Sequence, residues 1–307
     1  MQKRSGKSNF SKKSRLSTFT VQEEVELLPF LLSSIKDKSR TKIKGMLSHK
    51  QFMVNQSVTT QFDQELKPGD KVVVSWDGPH RKQSYEGVKI VFEDDQVIVI
   101  NKRSGLLSVG SEKEKKQTAY RIVTTHIRQE NPVARLFVVH RLDREASGLM
   151  VFAKNKNAQM ELKESWASTS PKNMYLAVTE GTVQKDTDTL QSFLKESKAL
   201  IVHETKSKKE GKPAITRYQV VKKNEYFTLM ELYMDTERKH QFRVQLQGIK
   251  HPVLGDKKYG SNQNPIGRMA LHLRKLTFIH PATYEEMTFE TKVPEDFLQL
   301  FRYKYYD

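Results

Sequence analysis

The sequence predicts an α+β protein in which a small N-terminal domain precedes a larger domain built on a mixed, largely antiparallel sheet. The chain has 307 residues, which is enough for about two domains. A polar stretch with Gly and Pro separates two regions of apolar patterning, and beyond it strands and helices mix without the regular alternation of a parallel α/β fold. The predicted divisions are a basic disordered tail (1–20), a small domain (21–76), a linker (77–88) and a large domain (89–307).

The composition limits the chemistry and the partners. The excess of Lys and Arg (53) over Asp and Glu (36) gives a net charge of +17, which favours RNA, DNA or an acidic protein as partner. The absence of cysteine excludes disulfides, iron–sulfur clusters, thiolate zinc sites and cysteine nucleophiles. There is no apolar run of about 18 residues and no apolar signal core at the N-terminus, so we expect a cytoplasmic protein without membrane partners.

Residues 1–20 carry six cations and no acid, interleaved with serines, so this segment cannot bury enough apolar surface to fold alone. It is either a solubilising tail or an arm that contacts phosphates.

The small domain is predicted to contain two helices and a hairpin sheet. The first helix has an apolar face formed by Leu28, Leu31, Leu32 and Ile35. Ser39 can cap a second helix, whose inner stripe is Ile43, Met46 and Leu47. Short strands are expected at Phe52–Val54, before a turn at Asn55, and at Val72–Val74, after the turn Pro68-Gly69-Asp70. Arg40, Lys42 and Lys44 project from another face of the second helix, where they form either a solvated surface or a nucleic-acid contact.

The large domain shows several apolar segments in order. A hairpin is predicted from Ile90–Phe92 and Val97–Ile100, and a helix carries Tyr120, Val123 and Ile127. Further strands are predicted at Leu136–Val139, Leu149–Ala153, Tyr175–Val178, Ile215–Val221 and Tyr226–Tyr233. Asn157 can cap a helix that carries Met160, Leu162 and Trp166, and the lysine-rich segment 182–212 is expected to be a hairpin or a loop insertion.

The first candidate for chemistry is Asp143, which lies in a loop between two apolar strands. An aspartate in such a loop is more often a turn former. Arg141 and Arg144 would keep its carboxylate ionised if they approach it.

Two further candidates lie elsewhere in the chain. Residues 238–243 (RKHQFR) form a dense basic cluster with apolar alternation around Arg243, which would then lie on a half-buried element and need a carboxylate or a phosphate. Tyr175 lies within an apolar strand, where it is either a core residue or a ring on which a base stacks. The nine histidines show no metal-binding spacing, and phosphate-loop, serine hydrolase and kinase motifs are absent. We therefore expect neither metal nor cofactor.

The large domain resembles the RluA-type RNA pseudouridine synthases over roughly residues 88–300. The resemblance is carried by five motifs in that family's order: VIVINKRSGL (97–106), HRLDREASGLMVFAKN (140–155), KNMYLAV (172–178), TERKHQFRVQLQGIKHPVLGDKKYG (236–260) and MALHLRKLTFIHP (269–281). The small domain, through SRTKIKGMLSHKQFMVNQSV and LKPGDKVVV, resembles the α-L RNA-binding module named after ribosomal protein S-four. The pattern departs from the family at Arg103, Ala146 and Glu237, which replace a usual Pro, Thr and Gly.

The resemblance implies an enzyme that isomerises uridine in RNA to pseudouridine without a cofactor. It implies that Asp143 is the catalytic aspartate, that Tyr175 lies beside the target base and that Arg243 pairs with the aspartate. Tyr175 could also assist the late proton removal from the uracil ring. The residues expected to contact RNA are Arg40, Lys42, Lys44, Arg141, Arg144, Arg238 and His240, and Arg141 is expected to help displace the target nucleotide.

Other functions remain open from the sequence. The preferred substrate is large-subunit ribosomal RNA, with transfer RNA as the alternative. A catalytically silent RNA-binding or ribosome-assembly factor is a second hypothesis, and the joint presence of Asp143, Tyr175 and Arg243 argues against it. A DNA-binding protein is disfavoured by the lack of a helix-turn-helix or zinc pattern. A monomer is the simpler expectation.

Overall fold

A computed structural model describes residues 16–55, 57–76, 85–110, 114 and 117–302. The chain divides into two compact units, Met1–Ser84 and Tyr85–Asp307, so the division falls within the predicted linker 77–88. Residues 77–84 lie outside the described part, whereas Tyr85 already belongs to the second unit, where its hydroxyl is 2.9 Å from Nδ1 of His126.

The first unit contains two short helices and six short strands among its described residues. The helices are α1 (Leu27–Ser34) and α2 (Arg40–Ser48). The strands are β1 (Leu16–Thr20), β2 (Val25–Glu26), β3 (Phe52–Val54), β4 (Ser57–Thr59), β5 (Glu65–Leu66) and β6 (Lys71–Ser75). An antiparallel sheet runs in the order β1-β6-β3-β4, and β2 pairs with β5.

Local chemistry explains these elements. The hydroxyl of Ser39 accepts the amide of Lys42 and caps α2, as predicted. Asn55, in the left-handed region at φ 45°, donates its side-chain amide to Asp70 and accepts the amide of Lys71 through its carbonyl oxygen. The two turns recognised in the sequence therefore hold each other in place.

One boundary of the first unit differs from the prediction. Residues 16–20, assigned to the disordered tail, form β1 and pair with β6. The lysines and serines of residues 1–15 dominated the composition of the segment and masked this short strand, in which Phe19 packs on the core. Residues 1–15 lie outside the described part.

The second unit is built on one large sheet. Its strands are β7 (Val88–Glu93), β8 (Val97–Lys102), β9 (Phe137–Val138), β10 (Ser147–Ala153), β11 (Met174–Glu180), β12 (Thr187–Glu196), β13 (Val202–Thr205), β14 (Lys212–Lys223), β15 (Phe227–Met234), β16 (Leu271–Ile279) and β17 (Glu286–Glu290). The order is β13-β12-β14-β15-β11-β16-β10-β8-β7, with β17 on β16 and β9 on β10. Every pairing of these strands is antiparallel except that of β10 with β16, so the predicted α+β class with a largely antiparallel sheet is confirmed.

The helices of this unit are α3 (Ala119–Glu130), α4 (Lys156–Thr169), α5 (Gln241–Gly248) and α6 (Glu295–Gln299). The predicted cap of α4 is corrected, because the side chain that accepts the amide of Ala158 belongs to Asn155 and not to Asn157. The segment 182–212 contains the hairpin of β12 and β13. Within the described residues, every helix is too short or too polar to span a lipid bilayer.

Candidate active site

Asp143 lies in the loop between β9 and β10, at the point where the chain enters the parallel contact of β10 with β16. The approach is closest at Gly148, with φ 120°, where a Cβ atom would lie 2.3 Å from the carbonyl oxygen of Leu273. Only glycine fits that contact. The entry of the Asp143 loop into the sheet is therefore fixed by backbone packing.

Two buried polar side chains hold the loop on either side of Asp143. The ammonium of Lys102, a fully buried residue, donates to four backbone carbonyls, of which Arg144 (3.2 Å) and Ala146 (2.6 Å) lie in the loop. The hydroxyl of Ser108 donates to the carbonyl of Leu142 at 2.6 Å. Burial lowers the pKa of Lys102 to about 8, against the opposing charges of Glu145 and Asp143, so it is still an ammonium at neutral pH.

Arg243 links Asp143 to a second carboxylate. Its Nη1 donates to Oδ2 of Asp143 at 2.8 Å, while Nε and Nη2 donate to the two carboxylate oxygens of Asp256 at 2.6 and 2.8 Å. Asp256 is 2% exposed and Arg243 is 7% exposed. Burial alone would lower the pKa of Arg243, but its bonds to Asp256 and the charges of both aspartates outweigh burial and raise it. Arg243 is thus permanently charged and rigidly oriented by Asp256.

The two oxygens of Asp143 have different surroundings. Oδ2 accepts the bond from Arg243, whereas Oδ1 makes no hydrogen bond to any described residue. Nε2 of His240 lies 3.7 Å from Oδ1, which is too far for a hydrogen bond. The side chain is 30% exposed, so one anchored carboxylate presents a free oxygen to an approaching ligand. Such a group can attack an electron-poor carbon or accept a proton.

His240 contacts this cluster as a neutral group. Its Nδ1 lies 2.7 Å from the hydroxyl of Tyr259, and its backbone is left-handed at φ 55°. Burial and the charge of Arg243 lower its pKa to about 4, against the opposing charge of Asp143. His240 was predicted as an RNA contact, and the structure places it beside Asp143.

Tyr175, on β11, borders the same region. Its ring meets Phe242 edge to face at 4.9 Å, and its hydroxyl makes no hydrogen bond within the described part of the chain. Burial raises the pKa of Tyr175, and the charges of Glu237 and Asp143 add to the rise. The phenol is therefore neutral, and it suits stacking or hydrogen bonding rather than action as a base.

The side chains of the other predicted contacts make no hydrogen bond or ion pair to Asp143, Arg243 or Tyr175 within the described residues. Arg141 is exposed beside a groove, and Arg144 is exposed with its Nε donating to the carbonyl of Gly105. Arg238 is fixed by the carbonyls of Pro213 and Glu237. In the first unit, Arg40, Lys42 and Lys44 are exposed along α2, and Lys44 lies over the ring of Phe62 at 5.6 Å.

Sequence reasoning missed Lys102 and Asp256 as parts of the site. Each lies inside a motif that resembles the family, and Lys102 follows four apolar residues and an asparagine, which is an unusual place for a lysine. That placement was the available signal, because a buried lysine needs acceptors. Among the described residues, no group of three or more His, Asp or Glu side chains is arranged to hold a metal ion.

The buried histidines predict an acid-sensitive fold. Burial lowers the pKa of His140 to about 3 and those of His240 and His272 to about 4, below the usual 6.5. Because the unfolded chain binds these protons first, the free energy of unfolding falls as the pH drops from 6.5 towards 4. At pH 5, His140 and His272 each lower it by on the order of 2 kcal/mol relative to neutral pH. We expect a lower melting temperature at pH 5 than at pH 7. His272→Gln should show a smaller fall, and equal melting temperatures of the unaltered protein at the two pH values would refute this reading.

Comparisons with known proteins agree with the resemblance. Residues 96–248 match the family model described as RNA pseudouridylate synthase. The RNA pseudouridine synthase YlyB of Bacillus subtilis is 31% identical over 91% of this chain and 94% of its own length. Ribosomal large subunit pseudouridine synthase D of Nitrosomonas europaea is 31% identical over 85% of this chain and 79% of its own length.

The fold also matches a solved structure. Human RNA pseudouridylate synthase domain containing 4 superposes with a TM-score of 0.56 at 24% identity, covering 68% of this chain and 90% of that one. With a relative at 31% identity over nearly its whole length, this chain belongs to the RNA pseudouridine synthase family, the enzymes that isomerise uridine in RNA to pseudouridine.

Proposed function

We propose that the carboxylate of Asp143 drives the isomerisation. The observation that carries this proposal is the difference between the two oxygens of Asp143. Arg243 donates a hydrogen bond to Oδ2 and leaves Oδ1 open. Asp256 takes two of the hydrogen bonds of Arg243, so the guanidinium holds one oxygen of Asp143 without covering the other.

The reaction breaks the bond between N1 of uracil and C1′ of the ribose, rotates the ring and joins C5 to C1′. The C5 proton is then lost and N1 gains one, so the product is an isomer. The free oxygen of Asp143 either attacks C1′ or removes the C2′ proton, and both routes use the same geometry. Deuterium at C2′ separates them, because it slows only the second route.

Tyr175 stacks on the uracil in this proposal. Its raised pKa does not fit the expected role in proton removal from C5. Asp143 is released again before that step, and its free oxygen is an acceptor beside the ring. We therefore assign the late proton transfer to Asp143.

The first unit is proposed to bind RNA through the exposed cations of α2, Arg40, Lys42 and Lys44. Replacing all three by glutamine should reduce the slope of log affinity against log salt by about 0.7 for each phosphate that the variant no longer neutralises. Deleting residues 1–76 should weaken affinity and salt dependence further. Lys36→Gln, which removes an exposed cation outside α2, is the control, and an unchanged slope in the triple variant would contradict the assignment.

The proposed target is large-subunit ribosomal RNA, with transfer RNA as the alternative. Support comes from the relatives named for the large ribosomal subunit. Such a target places the enzyme in the cytoplasm. We also propose that the enzyme acts as a monomer. A silent RNA-binding factor would have no use for an anchored carboxylate with a free oxygen.

Mapping pseudouridine in total RNA from cells with and without the gene tests this function. We expect one or a few ribosomal positions to lose the modification when the gene is absent. Loss confined to transfer RNA would overturn the target, and no loss anywhere would overturn the activity.

A further inference from the structure

A groove of about 480 Å³ lies beside the Asp143 loop, between α4 and the segment that leads into α5. It is lined by Val138, Val139, His140, Arg141, Gln159, Lys163, Trp166 and Glu237. Arg141 is two residues from Asp143, and the charge of Glu237 acts on Tyr175. The groove therefore adjoins the Asp143 loop, and Trp166 and Glu237, which we call its far wall, have no role assigned so far.

The far wall carries an aromatic ring and an acceptor. The indole of Trp166 stacks on His140 with ring centroids 4.6 Å apart, and its Nε1 donates to Oε2 of Glu237 at 2.9 Å. Oε1 of Glu237 accepts no hydrogen bond from the described residues, and the residue is exposed.

His140 supplies a donor on the same wall. Its Nε2 accepts the amide of Val151 at 3.1 Å, which places the proton of the neutral ring on Nδ1. His140 is 7% exposed, and its Nδ1 makes no hydrogen bond to any described residue and is not sealed from solvent. His140 lines the groove, and Nδ1–H is the one ring donor of this residue that has no acceptor among the described residues.

The groove also suits the backbone of RNA. Arg141 and Lys163 are exposed along it, and neither forms an ion pair within the described part of the protein. Two free cations beside a donor, an acceptor and an indole match the phosphates and the single base of one nucleotide.

Resting on the proposed function, we propose that this groove binds one unpaired guanine next to the target uridine in the RNA, with Glu237 as the residue that selects it. Guanine offers adjacent N1–H and N2–H donors to the carboxylate and an O6 acceptor to the donors of the groove. Uracil, cytosine and adenine cannot present two adjacent donors on that edge. The negative charge of Glu237 therefore distinguishes guanine from the other three bases.

The test is a binding measurement on the full chain. Fluorescein-labelled 12-nucleotide oligouridylates carry one central guanosine, adenosine, cytidine or uridine, and anisotropy gives their dissociation constants. We expect the guanosine probe to bind about fivefold or more tighter than the others. Glu237→Gln should bring the preference below about twofold, whereas Glu164→Gln, which removes an exposed carboxylate on α4 outside the groove, should keep it.

Two further variants locate the contact. In Trp76→Phe, Trp166 is the only tryptophan, and its fluorescence should be quenched as the guanosine probe binds. Trp166→Phe keeps a ring but loses the N–H that contacts Glu237, and it should retain the guanosine preference. Loss of preference in Trp166→Phe equal to that in Glu237→Gln would show that Glu237 only positions the indole, and would overturn the proposal.

Equal affinities for the four probes, or absence of quenching, would also overturn it. The assay does not require turnover, so the outcome is separate from that of the proposed function. Normal pseudouridine formation without a base preference refutes only the guanine site, whereas the preference without pseudouridine formation refutes only the catalytic assignment.

Discussion

We expect Asp143→Asn to abolish pseudouridine formation, while the RNA dissociation constant stays within several-fold of that of the unaltered enzyme. The amide has nearly the shape of the carboxylate but carries no charge, so it can neither attack C1′ nor accept a proton. We expect a loss of at least about 10⁴-fold in single-turnover rate, as for other nucleophiles and bases whose removal stops a reaction. The rate is measured on large-subunit ribosomal RNA, and affinity is measured by filter binding.

Glu145→Gln is the matched control for this substitution. Glu145 lies in the same loop and is exposed, and its carboxylate is 3.8 Å from Arg144. Glu145→Gln should leave the single-turnover rate within a few-fold of that of the unaltered enzyme. Normal turnover by Asp143→Asn would show that the carboxylate of Asp143 has no catalytic role.

Asp256→Asn should have the second largest effect, on both stability and rate. The buried guanidinium of Arg243 would lose the charge of its bidentate partner. Breaking a buried ion pair on one side typically costs about 3–5 kcal/mol. Arg243 would also turn towards Asp143 and cover the free oxygen, which we expect to reduce the rate on the order of 10²-fold.

Denaturant unfolding and single-turnover rates measure the two effects. Asp296→Asn is the comparison. Asp296 is the carboxylate partner of Arg268 and is more exposed than Asp256, so its loss should lower the free energy of unfolding by less than about 1 kcal/mol. If Asp256→Asn matches that control in both measurements, the proposed orienting role of Asp256 is wrong.

Local patterns predicted much of the fold. The cap at Ser39 and the inner stripe of α2 depend on neighbours within a few residues, so the sequence contains their causes. The turns at Asn55 and Gly69 were recognised from their residue types, although Asp70 and Lys71 hold Asn55 from 15 and 16 residues away. The hairpin of β7 and β8 follows from alternating apolar runs around a polar turn.

The segment of Arg243 was harder to interpret, because polar residues there are buried. Gln241 donates to the carbonyl of Ile215 and Gln245 to that of Ala214, both on β14. These distant acceptors allow α5 to bury polar and apolar residues alike. The alternation of polar and apolar residues in its sequence therefore does not correspond to an alternation of exposed and buried side chains. Helical structure at this position is a consequence of tertiary contacts.

For the candidate site as well, the sequence indicated some residues, and only the structure showed the contacts between them. Asp143, Tyr175 and Arg243 were identified by resemblance, and the structure brings them to one region. The sequence could not show that Asp256 shares Arg243, or that Lys102 holds the Asp143 loop through its carbonyls, since both contacts depend on how β8, β10 and α5 meet.

The central claim is that the free oxygen of Asp143 isomerises uridine in RNA. Its most direct test is to restore the gene, either unaltered or as Asp143→Asn at matched protein level, to cells that lack it, and to map pseudouridine in their ribosomal RNA. We predict that the unaltered gene restores the missing modification and that Asp143→Asn restores none. Restoration by the variant would contradict the account.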